Sequence, residues 1–390
     1  MPTALPSPSN QPEQLSLAAV ASASGQAGAG RNAPLSMVRI AGRELRPTVV
    51  FDTYWRFAAE RQRIYEARLA GTPGPWTADP ILRRHRFTNC YRAADRVSQF
   101  LIREVSYAGS QEPAEVVFRT LLFKLFNRIG TWRLLAGAGA QPSWADFSLE
   151  AYDDVLTRAF QSGVRLYSAA YVIPPPRLGA NRKHTNHLRL LALMLRDGVT
   201  ERLLAAASMR AAFEVLRGYP SMGDFLAYQF LIDLNYSSVL DFDENDFVVP
   251  GPGALDGIRK CFGPAAVGIE PQVIGYMVDH QEAHFERLGL RFGGLRGRRL
   301  TLIDCQNLFC EIGKYARLAH PDVRGSSGRT RIKQHYRLDP TPLSAWFPPK
   351  WGINPPTPPP VAMPASPVES EAVRLPATDI NARQVTVGRG

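Results

Sequence analysis

In the last third of the chain, LTLIDCQNLFCEIGKYARLAHP sets Asp304, Asn307, Glu311 and Lys314 at steps of three, four and three. On a helix that spacing gathers them into one narrow polar stripe on an otherwise apolar rod. Charges on a mainly buried helix are either paired or functional. The stripe therefore reads two ways. Asp304 and Glu311 act as general acid and base, or orient an incoming amine, while Lys314 neutralises a leaving phosphate. Alternatively, the stripe is an ion-pair network in which Glu311 is matched by Lys314 or by an arginine from another helix.

A second arrangement occupies RGYPSMGDFLAYQFLIDLNYSSVLDFDENDFVVPGPGA, residues 217–254. A helix ending near Arg217, the turn GYPSMG and a new helix from Gly223 make a helix-hairpin-helix, whose second helix opens with N–H groups able to hold a phosphate. Gly223 and Ala227 stand at Gly-x-x-x-Ala spacing, and an acid follows at Asp243 or Asp246. Asp246 reads as a carboxylate that stabilises positive charge or acts as a base beside an everted base, or as a turn residue ordering the next helix.

Basic residues supply the third pattern. In RFTNCYRAADR, Arg92, Asp95 and Arg96 fall on one helical face with Asn89 a turn earlier. Arg92 and Arg96 match phosphate geometry, unless Asp95 merely pairs with one of them. RGSSGRTRIKQHYR carries Arg324, Arg329, Arg331, Lys333, His335 and Arg337 around Tyr336, cations that can follow phosphates while the ring stacks, or a solvated basic loop. RFGGLRGRR extends the same electropositive surface. HQEAHFE places His280 and His284 four apart, but Glu282 falls on the opposite side and no third ligand is evident, so the histidines read as solvent-facing and no metal is expected.

The elements that must position these residues are helical. FDTYWRFAAERQRIYEARLAG opens at Asp52 and stops at Gly71, FTNCYRAADRVSQFLIREVSY has one broad apolar face, and further helices are expected near 185–196, 198–217, 223–236, 253–262, 270–287 and 299–319. The best strand candidate is RLYSAAYVIP. The fold class is all-α, with a Pro/Ser/Ala-rich disordered tail over 1–40, a folded domain over 41–345 and a Pro-rich disordered tail over 346–390.

The bulk numbers bound the function. The chain has 390 residues, 45% of them hydrophobic, enough for a sizeable core. Lys+Arg 46 against Asp+Glu 35 gives a net charge of +11, which favours a polyanionic partner such as nucleic acid. The cysteines Cys90, Cys261, Cys305 and Cys310 form no C-x-x-C pair and read as reduced, mostly buried thiols. No long apolar run or secretory leader is present, so the expectation is a cytoplasmic protein with no membrane role and no cofactor.

The blocks YWRFAAERQRIYEARL, RFTNCYRAADRVSQFLI, FRTLLFKLFNRIGTW, YPSMGDFLAYQFLIDLNYS, ENDFVVPGPGA and DCQNLFCEIGKYARLAHP…GRTRIKQHY together resemble the helical domain of phage-type 5-hydroxymethyluracil (5-hmdU) DNA kinases and the related α-glutamyl/putrescinyl-thymine pyrophosphorylases. The resemblance implies a glycosylase-like helix-hairpin-helix fold that handles a modified thymine in double-stranded DNA during base hypermodification. In DNA glycosylases of that superfamily the hairpin grips the backbone and a catalytic aspartate follows. Two departures sharpen the expectation. Phe225 stands where lyase-capable glycosylases carry a nucleophilic lysine, so a Schiff-base mechanism from that position is excluded. No G-x-x-x-x-G-K-[ST] string occurs, so the chain is not a stand-alone ATP-dependent kinase. It would work beside a separate P-loop kinase or hydroxymethylase, as a transferase, as a catalytically silent DNA-binding module, or as a monofunctional base glycosylase.

Overall fold

The computed structural model describes residues 37–137, 141–169, 173–339 and 343–356. Among them are fourteen α-helices and one two-stranded sheet. The hairpin β1 (Val38–Ile40) and β2 (Arg43–Leu45) pairs antiparallel, with Val38 opposite Leu45. Helices α1 (Val49–Leu69), α2 (Pro80–Arg84), α3 (Arg96–Phe100), α4 (Pro113–Phe126), α5 (Ile129–Ala136), α6 (Leu149–Gln161) and α7 (Lys183–Arg196) follow. The remainder are α8 (Val199–Leu204), α9 (Met209–Arg217), α10 (Asp224–Asn235), α11 (Pro252–Phe262), α12 (Glu270–Asp279), α13 (Gln281–Arg287) and α14 (Leu302–Ala319).

One apolar core links nearly all of these helices, and Phe51, Tyr54, Trp55 and Phe57 on α1 contribute fully buried rings. Helices α11 and α14 cross with their backbones touching. A Cβ added to Gly257 would sit 1.9 Å from the Phe309 carbonyl oxygen, and one on Gly313 would lie 3.1 Å from the Gly257 Cα. Only glycine permits that approach. The start of α1 is tied to the same pair: the Thr48 hydroxyl caps the Val50 N–H and donates to the Lys260 carbonyl. Thr48, rather than Asp52, is thus the N-cap, while Asp52 sits in the first turn and pairs with Arg287. Gly71, at φ +71, ends the helix as expected.

Several sequence expectations give way. The helix anticipated through 87–107 is broken: residues 86–91 are irregular with a bend at 90–91, Arg92–Ala94 make one 3-10 turn, α3 is short, and Leu101–Ser106 continue as a π-helix. Side chains from other elements capture the backbone N–H groups here, overriding local propensity. RLYSAAYVIP forms no strand among its described residues; residues 170–172 lie outside them. Residues 38–40 belong to β1, and residues 343–354 pack on the body with Phe347 fully buried. The rest of both expected tails, 1–36 and 357–390, lies outside the described residues.

Candidate functional site

The polar stripe of α14 faces the irregular segment 86–95 and satisfies its backbone. Asp304 accepts hydrogen bonds from the Thr301 N–H (3.1 Å) and hydroxyl (3.0 Å), closing a capping box, and from the Arg92 N–H at 2.8 Å. Asn307 donates to the Thr88 hydroxyl and the Asn89 carbonyl, both at 3.0 Å. Glu311 accepts from the Thr88 N–H (3.0 Å) and pairs with Lys314 at 2.7 Å, while the Lys314 ammonium lies 4.5 Å over the Phe87 ring. From the other side, Arg61 of α1 donates to the Thr88 carbonyl and the Asn89 side chain. A segment without a ladder of its own must find such partners elsewhere. Burial pushes the Asp304 carboxyl above its ordinary value. Burial also raises Asp95, which accepts from the Asn89 N–H, to about 7.

Arg92, expected beside Arg96 on a helix face, opens the 3-10 turn instead and lies in the interior. It is 6% exposed and meets Asp233 at 2.5 Å, while Lys124 of α4 reaches the other carboxylate oxygen at 2.6 Å. Arg92 also donates to Gln229 and lies 5.6 Å over the Tyr236 ring. Burial opposes charge on Asp233, yet the two cations outweigh it and hold this carboxyl below its ordinary range. Burial lowers Lys124 to about 8 despite that partner.

The acid of the 241–250 loop that turns inward is Glu244. Asp243 and Asp246 are exposed: Asp243 accepts from the Asn245 N–H, and the Asp246 carboxylate has no hydrogen bond or ion pair among the described residues. Glu244 is 6% exposed, pairs with Arg298 at 2.6 Å and accepts from the Thr301 hydroxyl at 3.4 Å. Burial raises it to about 7, Arg298 opposing and Asp304 reinforcing the shift. Glu244, Asp304, Arg92 and Asp233 therefore share one interior neighbourhood with Tyr228 and Tyr236. The sequence reading missed Glu244, Asp233 and Gln229. The signal for the last two was the i, i+4 spacing of polar groups inside the apolar run AYQFLIDL.

The basic residues gather on the outside. An antiparallel bridge joins His85 to His335, with the Arg86 N–H donating to Gln334 and the Tyr336 N–H to Arg84. It lays the strip 331–337 beside α2, so that Arg331, Lys333 and Arg337 are exposed near Arg83, Arg84 and Arg86, while Ile332 between them is buried. Upstream, Asp256 accepts from the Ser327 N–H and fills the space above Gly325, fixing the approach of Arg329. Exposed Arg96 continues the band. Partial desolvation of its guanidinium by neighbouring chain and then the like charges of Arg86, Arg133 and Arg128 lower its pKa, Asp339 opposing. The RFGGLRGRR arginines do not all join this surface: Arg299 pairs with Glu282, and Arg298 with Glu244.

Where the hairpin was expected, α9 and α10 flank the turn 218–223. Gly223 is the exposed N-cap of α10, Ser221 adopts φ +64, and Arg217 pairs with Asp224 across the turn. Of the residues expected to bind a strand, Arg96, Arg329, Arg331 and Lys333 are exposed along the 83–96 and 329–337 segments, Arg92 is interior, and Gly223 belongs to the separate turn 218–223. Of the expected chemical groups, Asp304, Glu311 and Lys314 meet through segment 86–95, and Asp246 stands apart.

His284 is not solvent-facing: it stacks on Trp55 at 5.1 Å and bonds Tyr276 at 3.1 Å, and burial lowers it to about 4. Among the described residues no group of three His, Cys, Asp or Glu side chains is placed to hold a metal. None of their helices is long and apolar enough to cross a membrane. Cys90, Cys261 and Cys305 are buried free thiols, and Cys310 is partly buried.

Comparison with known proteins agrees with this architecture. The family described as 5-hmdU DNA kinase, helical domain, matches residues 48–325. A curated relative, the 5-hmdU DNA kinase of Bacillus phage SP10, is 25% identical over 304 residues, covering 73% of this chain and 47% of its own length. The chain thus spans about half the length of that relative. No solved structure matches. A helical body with a polar central helix, matched along most of its length, places this chain in the family of 5-hmdU DNA kinase helical domains.

Proposed function

We propose that the chain binds double-stranded DNA and acts on 5-hydroxymethyluracil during thymine hypermodification. The observation that carries this reading is the exposed band made by Arg83, Arg84, Arg86, Arg96, Arg331 and Lys333, in a chain whose relative is a 5-hmdU DNA kinase. Cations in a row along paired segments suit consecutive phosphates, and each phosphate neutralised releases counterions. Arg329 approaches the same row, and the turn before Gly223 offers a second phosphate contact through helix N–H groups.

For chemistry, Asp304 and Glu244 form the acid–base pair of this reading. Burial raises both carboxyls, and Glu244, at about 7, can both give and take a proton at physiological pH. Glu311 and Lys314 position the arginine-bearing segment, and Asp246 is left without a step. No Walker loop occurs within these 390 residues, and phosphoryl transfer is assigned to a P-loop kinase activity outside them, with a hydroxymethylase upstream. One observation favours a second reading, a silent module that presents DNA to such a partner: both Asp304 oxygens are already occupied by Thr301 and Arg92.

Nucleoside mass spectrometry of DNA from cells with and without the gene tests the reading. A hypermodified thymine that disappears with the gene is expected, and an unchanged nucleoside profile together with no affinity of the purified chain for 5-hydroxymethyluracil duplex would overturn it. Product formed by the purified chain on activated DNA separates the enzyme from the silent module.

A further inference from the structure

The segment 343–354 forms a small closed loop against the interior cluster. Its neck is tied reciprocally, the Phe347 N–H donating to Asn354 Oδ1 (2.8 Å) and the Asn354 amide to the Phe347 carbonyl (2.7 Å). Phe347 is fully buried and anchors it, Trp346 is held by Gln99, and Arg296 donates to the Ile353 carbonyl. Lys350 reaches the Asn235 carbonyl at 2.6 Å. The loop presents one further ring, Trp351, which is only partly buried. Arg298 lies 4.0 Å over that ring while pairing with Glu244, and Tyr236 meets its edge at 5.5 Å.

The groups around the indole are more polar than an indole needs. Besides Arg298 there are the Glu244 carboxyl, the Thr301 hydroxyl on it, and the Tyr236 hydroxyl, which is buried without a hydrogen-bond partner among the described residues. A buried hydroxyl left unpaired costs about 1–3 kcal/mol. An indole has one N–H to offer and no acceptor, whereas a pyrimidine imide has two carbonyl oxygens flanking an N–H. Arginine planes and tyrosine rings are the usual partners of an unstacked base.

We propose that Trp351 occupies the seat of a uracil-type ring, so that residues 348–353 are a movable plug on a base-binding site formed by Arg298, Glu244 and Tyr236. This rests on the reading of DNA as the partner, and the ring arrives as a base everted from the duplex. Arg298 stacks on its face, Glu244 meets the imide, and Tyr236 meets a carbonyl. Phe347 stays anchored, and the plug swings about the neck that Asn354 closes.

The test uses the full chain and a duplex carrying one 5-hydroxymethyluracil next to 2-aminopurine, whose fluorescence rises when its neighbour leaves the stack. Trp351→Ala is expected to raise that signal and to tighten binding to this duplex about tenfold, the scale of one base–aromatic stack, with affinity for a thymine duplex changed less. Glu244→Gln in the same background is expected to cancel the gain. Should Trp351→Ala fail to fold, Asn354→Ala unties the neck without touching the seat, and the same gain is expected. Wild-type fluorescence and affinity in both loop variants would overturn the plug. Quenching of the remaining tryptophans by free 5-hydroxymethyl-2′-deoxyuridine, without a gain on the duplex, would keep the seat but make the free nucleoside its source. Absence of duplex binding by the wild-type chain condemns the proposed function instead, whereas duplex binding abolished by Arg331→Glu but indifferent to the loop variants condemns only the plug.

Discussion

Replacing Glu244 by Gln should change how stability depends on pH. The carboxyl is 6% exposed, and burial lifts it from an ordinary 4.5 to about 7. Between those values the folded chain holds a proton that the unfolded chain has released, so stability falls as pH rises through this window. The fall amounts to about 3 kcal/mol, begins above about pH 4.5 and is complete above about pH 7. The pairing with Arg298 is already contained in the shift, so it is not subtracted again. Glutamine keeps the shape and an acceptor for Arg298 but does not titrate. Urea unfolding of both proteins at pH 5 and pH 8 is the assay. The wild type should lose stability relative to Glu244→Gln by up to about 3 kcal/mol on going to the higher pH. Asp95, also raised to about 7, leaves a residual slope of the same sign in both proteins. Parallel pH profiles for the two would refute the argument that this carboxyl is held in a desolvated interior.

The other predictions bear on packing, charge and DNA. Gly257→Ala should destabilise by about 1–3 kcal/mol or more, read as a drop in the urea midpoint, because its methyl would meet the Phe309 carbonyl and α11 must lift off α14. Asp233→Asn should cost about 3–5 kcal/mol, since Arg92 and Lys124 would face each other without their shared counter-charge, and a stability unchanged in denaturation would contradict the buried cluster. Lys333→Glu should weaken binding to any duplex similarly and lower the salt slope by about 1, the share of a single neutralised phosphate, measured by titration at several salt concentrations. An unaltered slope would remove the strip from the interface.

Most helices were legible because apolar spacing alone reports them. Those on the 183–319 stretch appear where the pattern placed them, give or take a cap or a break such as that between α12 and α13. Segment 86–95 was not legible. Its residues have helical spacing, and the groups that unwind it, Asp304, Glu311 and Arg61, lie far off in sequence. The same long-range dependence hid the site. Asp246 was chosen by its distance from Gly223, but the fold turns the neighbouring Glu244 inward through Arg298, which composition had counted as a surface charge. The basic strip was visible as composition, whereas its docking on α2 depends on a backbone bridge that leaves no residue signature.

The grip of α14 on segment 86–95 has a consequence for anyone reading mutants of this protein. Arg86 and Arg96 hang from a stretch of chain moored to Asp304, Asn307 and Glu311. Shortening any of those moorings slackens the outer arginines from within. Loss of DNA affinity in such a variant would then record a slipped anchorage beneath the surface, and a charge reversal at Arg96 itself is the control that tells the two apart.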